Sequence, residues 1–142
     1  MLRQKILFIG LSLCLAAAYA VDVDLTTMSS TMVYAKVFNM LGNPDAYLGK
    51  TIKMNGVYAA ATDDKTGKHY HYIIVEDAFA CCQQGFEFIR NGKYVYPQDY
   101  PPEKTKIEVS GTIKSYADPE YDYTYYYVAV DDFKTVGNPP KR

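Results

Sequence analysis

The run KIEVSGTIKSY, Lys106 to Tyr116, places Ile107, Val109, Gly111 and Ile113 on one side and Glu108, Ser110, Thr112 and Lys114 on the other. Successive side chains of a strand point to opposite faces, so this period of two describes a strand with one face in a core and one in water. Four more runs have strand character: TIKMNGVYAA from Thr51, HYHYIIVED from His69, GFEFIRNG from Gly85 and YTYYYVAVDDF from Tyr123. Turn residues separate them, including Gly67 and the Asn91-Gly92 pair. Short strands at regular spacing predict a mainly β sandwich or barrel.

One helix precedes the strands. Met32, Val33, Val37, Phe38, Met40 and Leu41 give Ser30–Leu41 a broad apolar side. Ser29, Ser30 or Thr31 can cap its start, and Gly42-Asn43-Pro44 ends it.

Two strands echo each other. IKMNGVYAAATD from Ile52 and IEVSGTIKSYAD from Ile107 each carry an apolar residue at the third position and glycine at the fifth. A glycine inside a strand marks a sharp bend or a close backbone approach, and a small closed barrel needs such bends to curl its sheet.

The lead-in NPDAYLGKTIKMNG, a helix followed by a first strand with an internal glycine, resembles small exported bacterial OB-fold domains. The run IIVEDAFACCQQGFEF is similar to a double-cysteine segment of uncharacterised bacterial exported or membrane-associated proteins, permease-associated ones among them. The resemblance covers about Asn43 to Phe133. It implies an OB-like five-stranded barrel and says little about activity. The expected organisation is a leader over 1–20, a loose segment over 21–29, the barrel with its leading helix over 30–136 and a loose tail over 137–142.

The leader is read from MLRQKILFIGLSLCLAAAYA. Arg3 and Lys5 form a positive start, Ile6 to Ala17 is apolar, and Ala18-Tyr19-Ala20 has the small-x-small form of a signal-peptidase site. The apolar stretch falls short of the roughly 20 residues that span a bilayer. An exported protein, periplasmic or extracellular and without a membrane span after cleavage, is expected. Lipid attachment at Cys14 is the weaker alternative, because Leu13 stands where a small residue is usual.

The whole chain has 15 basic and 16 acidic residues, and loss of Arg3 and Lys5 leaves 13 basic residues and a formal charge of −3. A protein built to neutralise phosphates needs clustered Lys and Arg, so nucleic acid is not the expected partner.

Cys81 and Cys82 stand side by side in an otherwise cysteine-poor chain. Export favours disulfides. Yet adjacent Cα atoms lie about 3.8 Å apart, below the usual disulfide range of about 4.4–6.8 Å, so a bond between them is strained and readily reduced. Three readings follow: packed thiol and bystander, vicinal disulfide, or ligands for a soft or borderline ion such as zinc or copper. His69 and His71, the chain's only histidines, share one strand face and are candidate co-ligands. At about 7 Å apart they converge only if the strand twists or bulges.

Tyrosine is the second anomaly: nine lie between Tyr94 and Tyr127, and the chain has no tryptophan. Alternation puts Tyr123, Tyr125 and Tyr127 on one face. Such a row can stack on sugars, bases or a partner's apolar surface, and OB-folds bind oligomers across a comparable face. The plainer alternative is that tyrosine is a good strand former.

No nucleophile elbow, phosphate-binding glycine loop or H-E-x-x-H helix is present. The acid pairs Asp63-Asp64 and Asp131-Asp132 fall at strand ends, where acids are usually solvated. The sequence therefore favours a non-catalytic module for a protein or small ligand, with a metal-binding or thiol-redox protein as alternatives. Protein isolated from its native host is expected to begin at Val21. An intact mass that retains residues 1–20, or carries lipid on Cys14, contradicts that start.

Overall fold

A computed structural model gives the fold of residues 20–137; most of the expected leader, Cys14 included, and the tail beyond Gly137 lie outside the described residues. The elements are β1 (Val23–Asp24), α1 (Ser30–Gly42), a 3-10 turn (Pro44–Tyr47), β2 (Thr51–Thr62), β3 (His69–Glu76), β4 (Gln83–Arg90), β5 (Lys106–Asp118) and β6 (Tyr123–Thr135).

The alternating runs become the five long strands, and their pairing closes into a ring. β2 is antiparallel to β3 and β5, β3 to β4, and β5 to β6, while β4 and β6 run parallel. The described residues are thus mainly β, with one α-helix ahead of the long strands. The expected count of five strands needs correction to six, because β1 pairs parallel with β2 at Ile52 and Lys53. Two residues are too few to display a period.

The segment 21–29 was expected to be loose and is instead fastened to β2. Asp22 exchanges hydrogen bonds with Thr51, its carboxylate accepting from the Thr51 N–H at 2.8 Å. The Leu25 N–H donates to the Lys53 carbonyl at 2.8 Å, and the Leu25 side chain is buried. Val23 and Leu25 alternate inward between aspartates. The polar half of that pattern is what made the segment read as loose.

The side chains expected in the core are buried: Ile52, Met54, Ile73, Val75, Phe86, Phe88, Ile107, Val109 and Ile113, and also Val128, on a strand whose pattern allowed either face inward. Each contributes roughly 1.5–3 kcal/mol relative to exposure. Ser29 caps α1 by accepting from the Met32 N–H. Val37 and Met40 enter the core and Val33 packs against it. Met32, Phe38 and Leu41 are exposed, so the inward side of α1 is narrower than the sequence predicts. At about 100° per residue, Val33, Val37 and Met40 form one strip, and Met32 points well away from it.

The echoed segments pair with each other. Ile52 lies opposite Gly111 and Gly56 opposite Ile107, so each glycine faces the first residue of the other motif. A Cβ on Gly56 would sit 2.5 Å from Ile73 Cγ1 and 2.7 Å from the Ile74 carbonyl oxygen. One on Gly111, beside the irregularity in the β5–β6 register, would collide with the Ala129 carbonyl. These are the close approaches that a glycine in a strand announces.

Gly111→Ala is expected to cost about 1–3 kcal/mol in denaturant unfolding, since the neighbour it meets is backbone. Gly42→Ala, where a Cβ meets nothing within 4 Å, should stay within about 0.5 kcal/mol of the parent or be slightly stabilising. Equal effects at the two positions would refute the close-approach account.

Candidate functional site

Side chains on the outer face of β3, β4, β5 and β6 gather into a cleft of about 520 Å³. Its walls are the β2–β3 turn with Asp63, Lys65, Thr66 and Lys68, and the β5–β6 end with Asp118, Glu120 and Tyr121. Tyr70, Tyr72, Glu87, Tyr116 and Tyr125 complete the lining. Register explains the convergence: Tyr72 lies opposite Glu87, Glu87 opposite Tyr127, and Tyr116 opposite Tyr125.

The rings of Tyr116 and Tyr125 stack with centroids 5.3 Å apart, and Tyr127 leans on Tyr116 at 5.8 Å. The Tyr116 hydroxyl donates to Glu87 Oε2 at 2.9 Å. Burial raises the Glu87 carboxyl above its ordinary range, against the lowering effect of that hydrogen bond. Burial likewise raises the Tyr72 and Tyr116 phenols. The Lys68 ammonium lies 4.4 Å from the Tyr70 ring centroid and 5.6 Å from that of Tyr116. Four carboxylates and two lysines leave the cleft net negative.

Of the expected row, Tyr125 lines this cleft, while Tyr123 is more exposed and meets Tyr125 edge to face at 4.8 Å. Tyr127 joins through Tyr116. Alternation identified the row, but Tyr72, Glu87 and Tyr116 were missed because their meeting depends on strand pairing. Glu87 did carry a signal, an acid flanked by the core residues Phe86 and Phe88.

His69 and His71 occupy the other end of β3 from the cysteines, and the structure does not bring the two pairs together. His71 instead stacks against Tyr100 at 3.8 Å and shares a hydrogen bond of 2.8 Å with the buried Tyr58 hydroxyl. Phe88 and Tyr96 surround it. His69 Nδ1 lies 2.9 Å from Thr62 Oγ1. The β4–β5 connection thus supplies an aromatic plug for this end of the ring. Arg90 anchors it, donating to the Asp99 carbonyl and lying 3.6 Å from the Tyr94 centroid.

Cys81 and Cys82 lie between β3 and β4, as the strand runs on either side imply. The packed-thiol reading requires an inward sulfur, yet both residues are exposed. The cause is Asp77, whose carboxylate Oδ1 accepts the N–H groups of Cys81 at 2.9 Å and Cys82 at 3.4 Å. Ala80, at φ 53°, turns the chain outward. The same fold of backbone brings the sulfurs within 3.6 Å of each other, and the Cys81 thiol donates to Asp77 Oδ2 at 3.1 Å. Bonding to Asp77 and then to Cys82 pushes the Cys81 thiol up to about 11, while the Cys81 thiol's bond holds Asp77 below the usual carboxylate range.

Three of the four paired acids have structural partners. Asp63 accepts from the Lys65 N–H at 2.8 Å, Asp131 from Asn91 at 2.7 Å, and Asp132 pairs with Lys134 at 2.7 Å.

Burial lowers His71 to about 4. Its depressed folded value means that the unfolded chain takes the proton first. This contribution to stability is full above the ordinary histidine value near 6.5 and is lost as pH falls towards 4. The imidazole signals of His71 should titrate near pH 4, and His71→Gln should flatten the stability slope between pH 6.5 and 4. A midpoint near 6.5 for His71 would contradict its packing. No family model and no curated protein matches the chain, so its function has to be read from these residues.

Proposed function

We propose that the chain is an exported, non-catalytic binding module of the OB type whose tyrosine-lined cleft holds a neutral oligosaccharide. Counting β2 to β6 as the five strands of such a fold, the cleft covers the second and third strands and lies between the first and last hairpin turns. OB domains bind oligomers at that place. The observation that carries the reading is this coincidence of position with stacked tyrosines and an acidic rim.

The chemistry favours sugars among the oligomers. Tyrosine faces pack on the C–H faces of pyranose rings, and their hydroxyls hydrogen-bond at the edges. Carboxylates such as Glu87, Asp118 and Glu120 accept from sugar hydroxyls. A single-stranded nucleic acid calls for a positive groove alongside the stacking platform, and the cleft's net charge has the opposite sign. The expected leader would place the domain outside the cytoplasm, and no helix among the described residues is long and apolar enough to cross a membrane.

Calorimetric titration with a panel of neutral oligosaccharides should find a binder. Tyr125→Ala should weaken it roughly tenfold, the equivalent of one good aromatic contact. Tyr94→Ala, outside the cleft, should not. Binding indifferent to Tyr125→Ala, or a preference for an anionic oligonucleotide over every neutral sugar, would remove the proposal.

A further inference from the structure

The β3–β4 loop lies apart from the tyrosine cleft, and its chemistry is of another kind. One carboxylate oxygen of Asp77 and the sulfurs of Cys81 and Cys82 all lie within 4.8 Å of one another, the one such cluster of potential ligands among the described residues. We infer that Asp77, Cys81 and Cys82 form a tridentate site for a borderline or soft divalent cation, with zinc as its natural probe.

The spacing supports a metal. Two sulfurs on a tetrahedral zinc, each about 2.3 Å from the ion, are about 3.8 Å apart. The Cys81 and Cys82 sulfurs are already 3.6 Å apart. A sulfur and a carboxylate oxygen on the same ion are separated by about 3.5 Å, against 3.1 Å between Cys81 Sγ and Asp77 Oδ2. The Asp77–Cys82 pair closes by a side-chain rotation that an exposed loop permits. A disulfide asks for more: the sulfurs must approach to about 2.05 Å within a ring whose Cα atoms are too close together.

The loop is also organised before any ion arrives. Asp77 Oδ1 is held by two backbone N–H groups, which leaves Oδ2 directed at the Cys81 sulfur. The backbone N–H of Asp77 donates in turn to the Cys82 carbonyl, closing the loop at its base. On binding, each thiol passes its proton to solvent and each sulfur donates an electron pair to the ion. No electron is transferred, and the fourth tetrahedral position faces water. A site of two thiolates and one carboxylate selects for zinc or cadmium over magnesium or calcium, which take oxygen ligands.

The full chain, purified without a metal-affinity tag, stripped of metal and kept reduced, should be titrated with zinc against a chromophoric chelator. One zinc per chain is expected, with proton release, and cobalt(II) in its place should show thiolate charge-transfer bands. Cys81→Ser and Cys82→Ser should each lose at least the roughly 10–100-fold in affinity that removal of even an outer-shell partner costs, and Asp77→Asn should weaken binding less. Circular dichroism should show all three variants folded, since the loop is exposed. The inference fails if zinc is not taken up, if uptake survives both serine variants, or if the isolated reduced protein reverts to a form two hydrogens lighter while zinc is present.

Discussion

Closure of the ring rests on the pairing of β2 with β5. Seven residues of each strand, Thr51–Val57 against Lys106–Thr112, join the start of the sheet to its fourth long strand. Without that ladder the sheet would be an open layer, and Ile52, Met54, Ile107 and Val109 would lose the enclosure that keeps them dry. Each of the two strands carries a glycine set opposite an isoleucine of the other, and that glycine admits the next strand round the ring, β3 against Gly56 and β6 against Gly111. The local echo in sequence is thus a two-fold-like device in space: one short pattern used twice, facing itself.

The sites follow from that closure. A ring has an inside, two ends and an outer face, and the chain uses them differently. Its interior is aliphatic and phenyl-filled. One end is closed by α1, whose Val33 shares a groove with Val75, and the other by His71, Tyr58 and Tyr100. The outer face carries the tyrosines, and the dithiol loop extends where β3 gives way to β4. His71 is committed to the plug by its stack on Tyr100 and its bond to the Tyr58 hydroxyl, at the end of β3 away from the cysteines.

Much of the fold was legible because period-two alternation is a local signal. Ile107 and Val109 declare their face within eleven residues of sequence. Glycines at matched offsets announced the close approaches. What escaped was of two kinds. Val23–Asp24 is a strand only because β2 offers it an edge, and two residues carry no period of their own. Glu87 and Tyr116 are 29 positions apart, and Tyr126 hydrogen-bonds to Asp45 across 81; such meetings exist only once strand order is known. For the cysteines the sequence left three readings open, and since adjacent side chains of an extended segment point opposite ways, the sulfurs meet only where the backbone bends. Ala80 and Asp77 provide the bend, in a direction that local pattern did not reveal.

The ring has a consequence for how another molecule can approach. Each of β2 to β6 is hydrogen-bonded along part of its length on both sides, and β1 occupies a further piece of the β2 edge. A peptide seeking to extend the sheet by adding a strand therefore finds little continuous backbone to read. Recognition is left to side chains, and side chains diverge in sequence more freely than a hydrogen-bonding edge does. A domain of this construction can change what it recognises by exchanging residues on its rim while its ladder pairing, and hence its folding, stays the same.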